Sequence, residues 1–353
     1  MALKAIYIPY LLRFKRPGGT SRGILTEKQT YFIKVYDDSD ISRFGLGEAA
    51  LFKGLSADDR PDYENKLADV CKNIERYIDC PEGLQEWPSI RFGLESALLD
   101  WKGGGRRILY SSRFTQGQEG IRINGLIWMG SKDFMKEQIR EKLSHGFRCI
   151  KLKIGAIDFD TELSLLKAIR SEFSPQEVEL RVDANGAFTP DDALFKLDAL
   201  SRLSIHSIEQ PIRAGQWERM SELCENTPLP IALDEELIGV FNQKDKISML
   251  KSISPQYIIL KPALVGGISG SEEWIRLAEE RRIGWWITSA LESNVGLNAI
   301  AQWCYTKSPV MPQGLGTGQL FTNNVSSPLR IRQESLLYDS LCEWDMSSFI
   351  EAK

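Results

Sequence analysis

From Ile121 onward the chain repeats one pattern: a short apolar run, then a stretch with helical spacing of its apolar positions. The runs are Ile121–Ile127, Cys149–Lys153, Leu180–Asp183, Ser207–Glu209, Ile231–Asp234, Tyr257–Lys261, Trp285–Thr288 and Met311–Leu315. Such alternation predicts a parallel sheet, and eight units favour closure into a barrel over an open doubly wound sheet. The first hundred or so residues read differently. Thr30–Val35 (TYFIKV) is a strand candidate, Leu94–Trp101 has helical spacing, and Pro81, Gly83 and Pro88 lie between them. Arg16 to Gly23 (RPGGTSRG) reads as a loop by composition. The chain after Phe321 is polar and irregular and is expected to pack back on the N-terminal unit. The expected fold is therefore a modified (β/α)8 TIM-type barrel (119–320) under an α+β capping domain (1–118), completed by the C-terminal segment (321–353).

Composition narrows the class of partner. The 353 residues are 42% hydrophobic and 26% charged, with 44 Lys and Arg against 48 Asp and Glu. That leaves no basic excess for a phosphate backbone, so no nucleic-acid partner is expected. No apolar run approaches the roughly 20 residues of a membrane span, and no small-residue cleavage site follows the first apolar stretch. Six scattered cysteines without a C-x-x-C pair read as free thiols, and the expected location is the cytoplasm. Only His145 and His206 are present, too few for a histidine-rich metal site, and both precede strands and read as structural.

The chemistry lies at the ends of the runs. Lys153, Asp183, Glu209, Asp234, Lys261 and Ser289 each close or directly follow one, at separations of 25 to 30 residues. That period is one βα unit, so the six side chains should ring one mouth of the barrel, where such barrels carry their chemistry. Solvent-facing polar ends would explain any single position, but six in phase are harder to explain that way. Three carboxylates on adjacent strands repel one another unless a hard cation sits among them, and without His or Cys in phase Mg²⁺ suits them better than zinc. In RCIKLKIG, strict alternation puts Lys151 and Lys153 inside the barrel. Burial and a neighbouring cation lower an ammonium pKa and would tune such a lysine toward general-base work; the plainer reading is a counter-ion for the carboxylates.

These residues form a set that resembles the enolase superfamily: K-L-K (Lys151, Lys153), D-A-N-G (Asp183, Asn185), I-E-Q-P (Glu209), L-D-E (Asp234, Glu235) and L-K-P (Lys261). The resemblance covers nearly the whole chain. It implies Mg²⁺, with Mn²⁺ as a substitute, on Asp183, Glu209 and Asp234. It also implies Lys153 and Lys261 flanking a small carboxylate substrate, and Lys151, Asn185 and Glu235 tuning charge around them. The shared step implied is removal of a proton next to a carboxylate, with the enediolate stabilised by the metal. Barrels of this family are often oligomers, so a homo-oligomer is implied too.

Two lysines and no histidine in phase at strand seven resemble the muconate-cycloisomerase-like subgroup. Thr288 to Gly296 (TSALESNVG) looks like the serine-rich turn of o-succinylbenzoate synthases, and Pro17 to Leu25 resembles their mobile cap loop. The implied activity is a hydro-lyase reaction, the syn dehydration of 2-succinyl-6-hydroxy-2,4-cyclohexadiene-1-carboxylate in menaquinone synthesis. Gly19, Thr20, Arg22, Ser289 and Ser293 would then contact the substrate. The alternative is an N-succinylamino acid racemase or dipeptide epimerase with the lysines as paired bases. Dipeptide epimerases usually carry Asp-x-Asp after strand eight, where this chain has Gly314-Leu315-Gly316. A barrel that binds metal and ligand without turnover is disfavoured, because it needs neither lysine.

Overall fold

The computed structural model describes residues 3–20 and 23–350. Strands β1 (Leu3–Thr20), β2 (Gly23–Asp37) and β3 (Asp40–Ala49) form an antiparallel sheet in that order. The expected strand Thr30–Val35 is the buried middle of β2. Of the expected loop at 16–23, residues 16–20 instead end β1 and Gly23 begins β2, with Gly18 paired to Leu25 and Gly19 to Ile24 after a bulge between Arg13 and Gly18, while Ser21 and Arg22 lie outside the described residues. Gly18 and Gly19 serve close approach. A Cβ on Gly19 would lie 2.4 Å from the Met129 carbonyl oxygen, and one on Gly18 3.1 Å from the Trp128 ring.

Helices α1 (Tyr63–Lys72), α2 (Ile74–Asp79) and α3 (Pro88–Lys102) follow, with Tyr63, Leu67, Ile90 and Leu94 buried against Tyr31, Ile33 and Val35. β3 and α3 touch backbone to backbone: a Cβ on Gly47 would lie 1.9 Å from the Gly93 carbonyl oxygen. Gly47→Ala must therefore push helix from sheet. It is expected to destabilise the protein by about 1–3 kcal/mol, read as a lower urea midpoint at unchanged slope.

The apolar run at Ile121–Ile127 divides between two sheets. β4 (Ile121–Arg122) and β5 (Gly125–Ile127) are separate strands, and β5 begins the parallel sheet. The chain continues α4 (Lys132–Ser144), β6 (Cys149–Lys153), α5 (Phe159–Glu172), β7 (Glu179–Asp183), α6 (Pro190–Ser201), β8 (Ser207–Glu209), α7 (Trp217–Asn226) and β9 (Ile231–Leu233). After these come α8 (Gln243–Ile253), β10 (Tyr257–Leu260), α9 (Pro262–Val265), α10 (Gly267–Glu279), β11 (Gly284–Ile287) and α11 (Asn294–Thr306). Strands β5 to β11 lie side by side in chain order as a seven-stranded parallel sheet.

The eighth run, Met311–Leu315, does not form a ladder strand. Gln313 and Gly314 nevertheless join both edges: Gln313 N donates to Arg122 O (2.8 Å) and Asn124 N to Gln313 O (3.0 Å), while Gly314 N donates to Ile287 O (2.8 Å) and Ser289 N to Gly314 O (3.1 Å). Pro312, Gly314 and Gly316 explain why pairing stops there, since proline lacks the donor and glycine weakens a strand.

The C-terminal segment is more regular than its composition suggests. β12 (Leu329–Arg332) and β13 (Ser335–Tyr338) make a hairpin whose second strand pairs with β4, and α12 (Ser347–Ile350) follows. It does return to the first sheet: Phe349 meets Phe32 edge-on at 4.9 Å, and Lys34 Nζ donates to the Phe349 carbonyl oxygen at 2.8 Å.

Candidate active site

Parallel pairing sets the first three groups in one row, because Lys153 is in register with Asp183 and Asp183 with Glu209. Asp234 directly follows β9 and Lys261 directly follows β10. Lys153 Nζ donates to Asp183 Oδ2 (2.9 Å) and Asn185 Oδ1 (2.7 Å). Lys151 Nζ lies 2.8 Å from Asp183 Oδ2 and donates to Glu209, while Lys261 donates to Asp234 and stands 3.9 Å from Glu209 Oε1. Asn185 Nδ2 donates to Glu235 Oε1 at 3.1 Å. The structure thus brings eight sequence-selected residues into one buried cluster, with three ammoniums set among the row of carboxylates.

The fields in this cluster differ from the sequence expectation. Burial does pull the Lys151 ammonium down, but the carboxylates of Asp183 and Glu209 more than reverse it, and its pKa is raised. Lys261 behaves alike: burial lowers it, and Asp234 and Glu209 carry it back above its ordinary value. Burial would raise Asp183, but Lys151 and Lys153 hold it far below the usual carboxylate range. Glu209 takes the opposite course, pushed well above that range by burial and by the facing Asp183.

Among the described residues no three His, Cys, Asp or Glu side chains converge closely enough to hold a metal ion, since the lysines stand between the carboxylates. The donor chemistry nonetheless fits a hard divalent cation. Asp183, Glu209 and Asp234 offer only oxygen, and the buried Glu209 Oε1 has no hydrogen-bond partner among the described residues.

Gln210 was not anticipated. Fully buried at the end of β8 with φ of 38°, it donates to Glu236 Oε2 (3.0 Å), and its own Oε1 accepts from Asp234 N (3.2 Å). It therefore ties the end of β8 to Asp234. Its signal in the sequence was the polar residue directly after Glu209 in I-E-Q-P.

Glu162 of α5 supports the turn after Lys153, accepting from Gly155 N at 2.7 Å. Burial lifts its carboxyl to about 7 against the pull of the Gly155, Ile157 and Ala156 amides. A folded pKa above the unfolded 4.5 means the fold holds this proton more tightly, so the contribution is complete below pH 4.5 and lost as pH rises through 7. Glu162→Gln is expected to raise stability at pH 8 by up to about 3 kcal/mol and to change little at pH 4, measured by thermal denaturation at both values.

Above the cluster lies a cavity of about 570 Å³. Its walls include Lys151, Lys153, Asp183, Asn185 and Lys261, with Phe14, Trp128 and Leu264 as apolar surface and Lys15 and Arg16 from β1 as cations. Ser289 lines it as well. Ser293 does not: its hydroxyl donates to Glu48 and its Oγ accepts from Val295 N at the start of α11. Gly19 sits against Met129, Thr20 ends β1, and Arg22 lies outside the described residues. His145, read from the sequence as structural, lines the cavity beside Glu141 and Lys142 of α4.

The model of the enolase C-terminal domain-like family matches residues 134–336. The chain belongs to that family. It is also 49% identical to the o-succinylbenzoate synthase of Desulfotalea psychrophila, an alignment covering 91% of this chain and 95% of that one. The crystal structure of MenC from the same organism superposes with a TM-score of 0.84 at 45% identity, covering 96% of this chain and all of that one (100%). The L-Ala-D/L-Glu epimerase of Bacillus subtilis shares the family fold at a TM-score of 0.80 and 20% identity, with 95% of each chain covered. In this chain the carboxylates and lysines meet at the C-terminal ends of the parallel strands.

Proposed function

We propose that this enzyme is a Mg²⁺-dependent o-succinylbenzoate synthase acting in the cytoplasm, with its barrel (119–320) closed over by residues 1–118 and 321–353. One observation carries the reading: a chain 49% identical to such a synthase sets Lys153 and Lys261 beside a buried row of carboxylates. Asp183, Glu209 and Asp234 would hold the ion, which when bound supplies electrophilic stabilisation of the enediolate. Lys153 removes the proton α to the ring carboxylate and returns it to the departing hydroxyl. The C–H and C–O bonds break on one face, water leaves, and the ring becomes aromatic. Lys261, whose ammonium is favoured by Asp234 and Glu209, keeps its proton and stabilises the enediolate by its charge. Phe14, Trp128 and Leu264 exclude water from the ring.

A dipeptide epimerase with the same lysines would need an acidic group after Gly314 or in its place to hold the substrate amine. A Cβ at position 314 would lie 2.4 Å from Thr288 Oγ1, so a side chain there must displace Thr288, and with glycine at both 314 and 316 the segment offers no acidic group, which favours the lyase. The test is conversion of the cyclohexadiene substrate to o-succinylbenzoate, followed by absorbance, beside α-proton exchange in N-succinylamino acids and dipeptides. Turnover of the first supports the reading; exchange without dehydration would replace it with the racemase or epimerase.

A further inference from the structure

A second group of buried charges lies where the N-terminal sheet meets the barrel, apart from the carboxylate row. Lys28 comes from β2 and Glu48 from β3, while Ser289 and Glu292 come from the turn after β11 and Thr317 from the segment beyond Gly314. Glu48 is fully served: Thr30 Oγ1 (2.8 Å), Ser293 N (3.0 Å) and Gly296 N (3.0 Å) donate to it, as does Ser293 Oγ. Glu292 has no exposed surface, and its Oε2 lies 2.6 Å from Ser289 Oγ. Its Oε1 has no partner among the described residues, and neither has Lys28 Nζ.

Burial lowers the Lys28 ammonium against the pull of Glu48 and Glu292, and with one amine and two carboxyl groups in this buried place the neutral arrangement leaves a proton on at least one acid. Four donors point at Glu48, which acts as an acceptor beside Lys28 and leaves Glu292 the less served of the two. Glu292 is the acid that keeps the proton. Burial pushes it up, Lys28 and Ser289 pull it down, Glu48 adds to the rise, and the net direction is upward.

A carboxylic acid there changes what the cavity sees. Ser289 Oγ lies 2.6 Å from Glu292 Oε2 and 2.7 Å from Thr317 Oγ1, and it accepts from Leu291 N at 3.0 Å. Hydroxyl hydrogens rotate, so this chain of three oxygens can run in either direction. With an anionic Glu292, Thr317 donates to Ser289 and Ser289 to Glu292, and Thr317 shows the cavity only lone pairs. With the acid, Glu292 donates to Ser289 and Ser289 to Thr317, which leaves the Thr317 O–H for the cavity that both hydroxyl residues line. Lone pairs repel a carboxylate, whereas a donor receives one.

We propose that Glu292, Ser289 and Thr317 form a hydroxyl relay in which the carboxylic acid of Glu292 turns the Thr317 O–H toward the cavity to receive the succinyl carboxylate. Lys28 and Glu48 set the charge that keeps Glu292 neutral, and Glu292 is a positioning residue. The relay rests on the proposed substrate class, not on the dehydration step.

The test uses the Mg²⁺-loaded enzyme and two readouts. Infrared spectra at pH 7 should show the C=O stretch of a protonated acid that Glu292→Gln removes. Calorimetry with o-succinylbenzoate should show Thr317→Val binding about tenfold more weakly, as expected for loss of a hydrogen bond to a charged group. The loss should shrink when the succinyl carboxylate is a methyl ester. As pH rises past the loss of the infrared band, affinity should fall in the parent and stay level in Glu292→Gln. Absence of the band, or product bound as tightly by Thr317→Val as by the parent, overturns the relay. If the parent binds no o-succinylbenzoate, the substrate reading falls and the infrared band alone decides the relay.

Discussion

Lys153→Ala is expected to lower kcat by about 10²- to 10⁴-fold, the range lost when a positioned proton-transfer group is removed. KM should move far less, because the apolar walls and the other cations of the cavity remain. Lys153 reaches Asp183 Oδ2 and Asn185 Oδ1 from the end of β6, and its side chain is 13% exposed at the mouth. Truncating it leaves Asp183 still paired to Lys151 at 2.8 Å, so the variant should fold, as circular dichroism and an unchanged melting temperature would show. Lys261→Ala should fall by a comparable factor for a different reason: it removes charge from the enediolate, not the base. Full activity in Lys153→Ala would remove this lysine from the mechanism.

Chelation by EDTA is expected to abolish turnover, and added Mg²⁺ to restore it, since the proposed ion would contribute several kcal/mol of charge stabilisation. The melting temperature should shift by only about 1–2 °C, the scale of roughly 1 kcal/mol in a protein of 353 residues. Lys151, Lys153 and Lys261 already pair with Asp183, Glu209 and Asp234, so the fold does not depend on an ion to hold its carboxylates together. In this it contrasts with a small zinc domain, which unfolds when stripped. Differential scanning calorimetry with and without EDTA, beside the activity assay, separates the two effects. Unfolding on chelation would give the ion a structural role that the lysine pairing argues against.

The site was readable in the sequence because it depends on a local rule repeated along the chain. Each apolar run ends where its strand leaves the sheet, and Lys153, Asp183, Glu209, Asp234 and Lys261 stand at those exits. What was not readable depends on contacts distant in sequence. Ile121–Ile127 is one apolar run, yet β13 claims its first residues and the parallel sheet its last, a division made more than two hundred residues downstream. Gly18 and Gly19 have the composition of a turn, but their small size serves the approach of Trp128 and Met129. Burial and a neighbouring cation would lower the Lys151 ammonium, but Asp183 and Glu209 face it and raise it, which is the counter-ion reading of these lysines. Ser293 sits in a serine-bearing turn as expected, and only the placement of Glu48 shows where its hydroxyl points.

The joint at Gln313 and Gly314 divides the enzyme's inheritance in two. The carboxylates and lysines stand on strands woven into one continuous ladder, where a change of one residue disturbs its neighbours on both sides. Thr317 and its neighbours lie outside that ladder, held by isolated bridges at Gln313, Gly314 and Phe321 and by the Ser289 hydroxyl. A lineage can therefore rework this wall of the cavity while leaving the row of carboxylates and lysines intact. One scaffold can in this way change its clientele without giving up its chemistry.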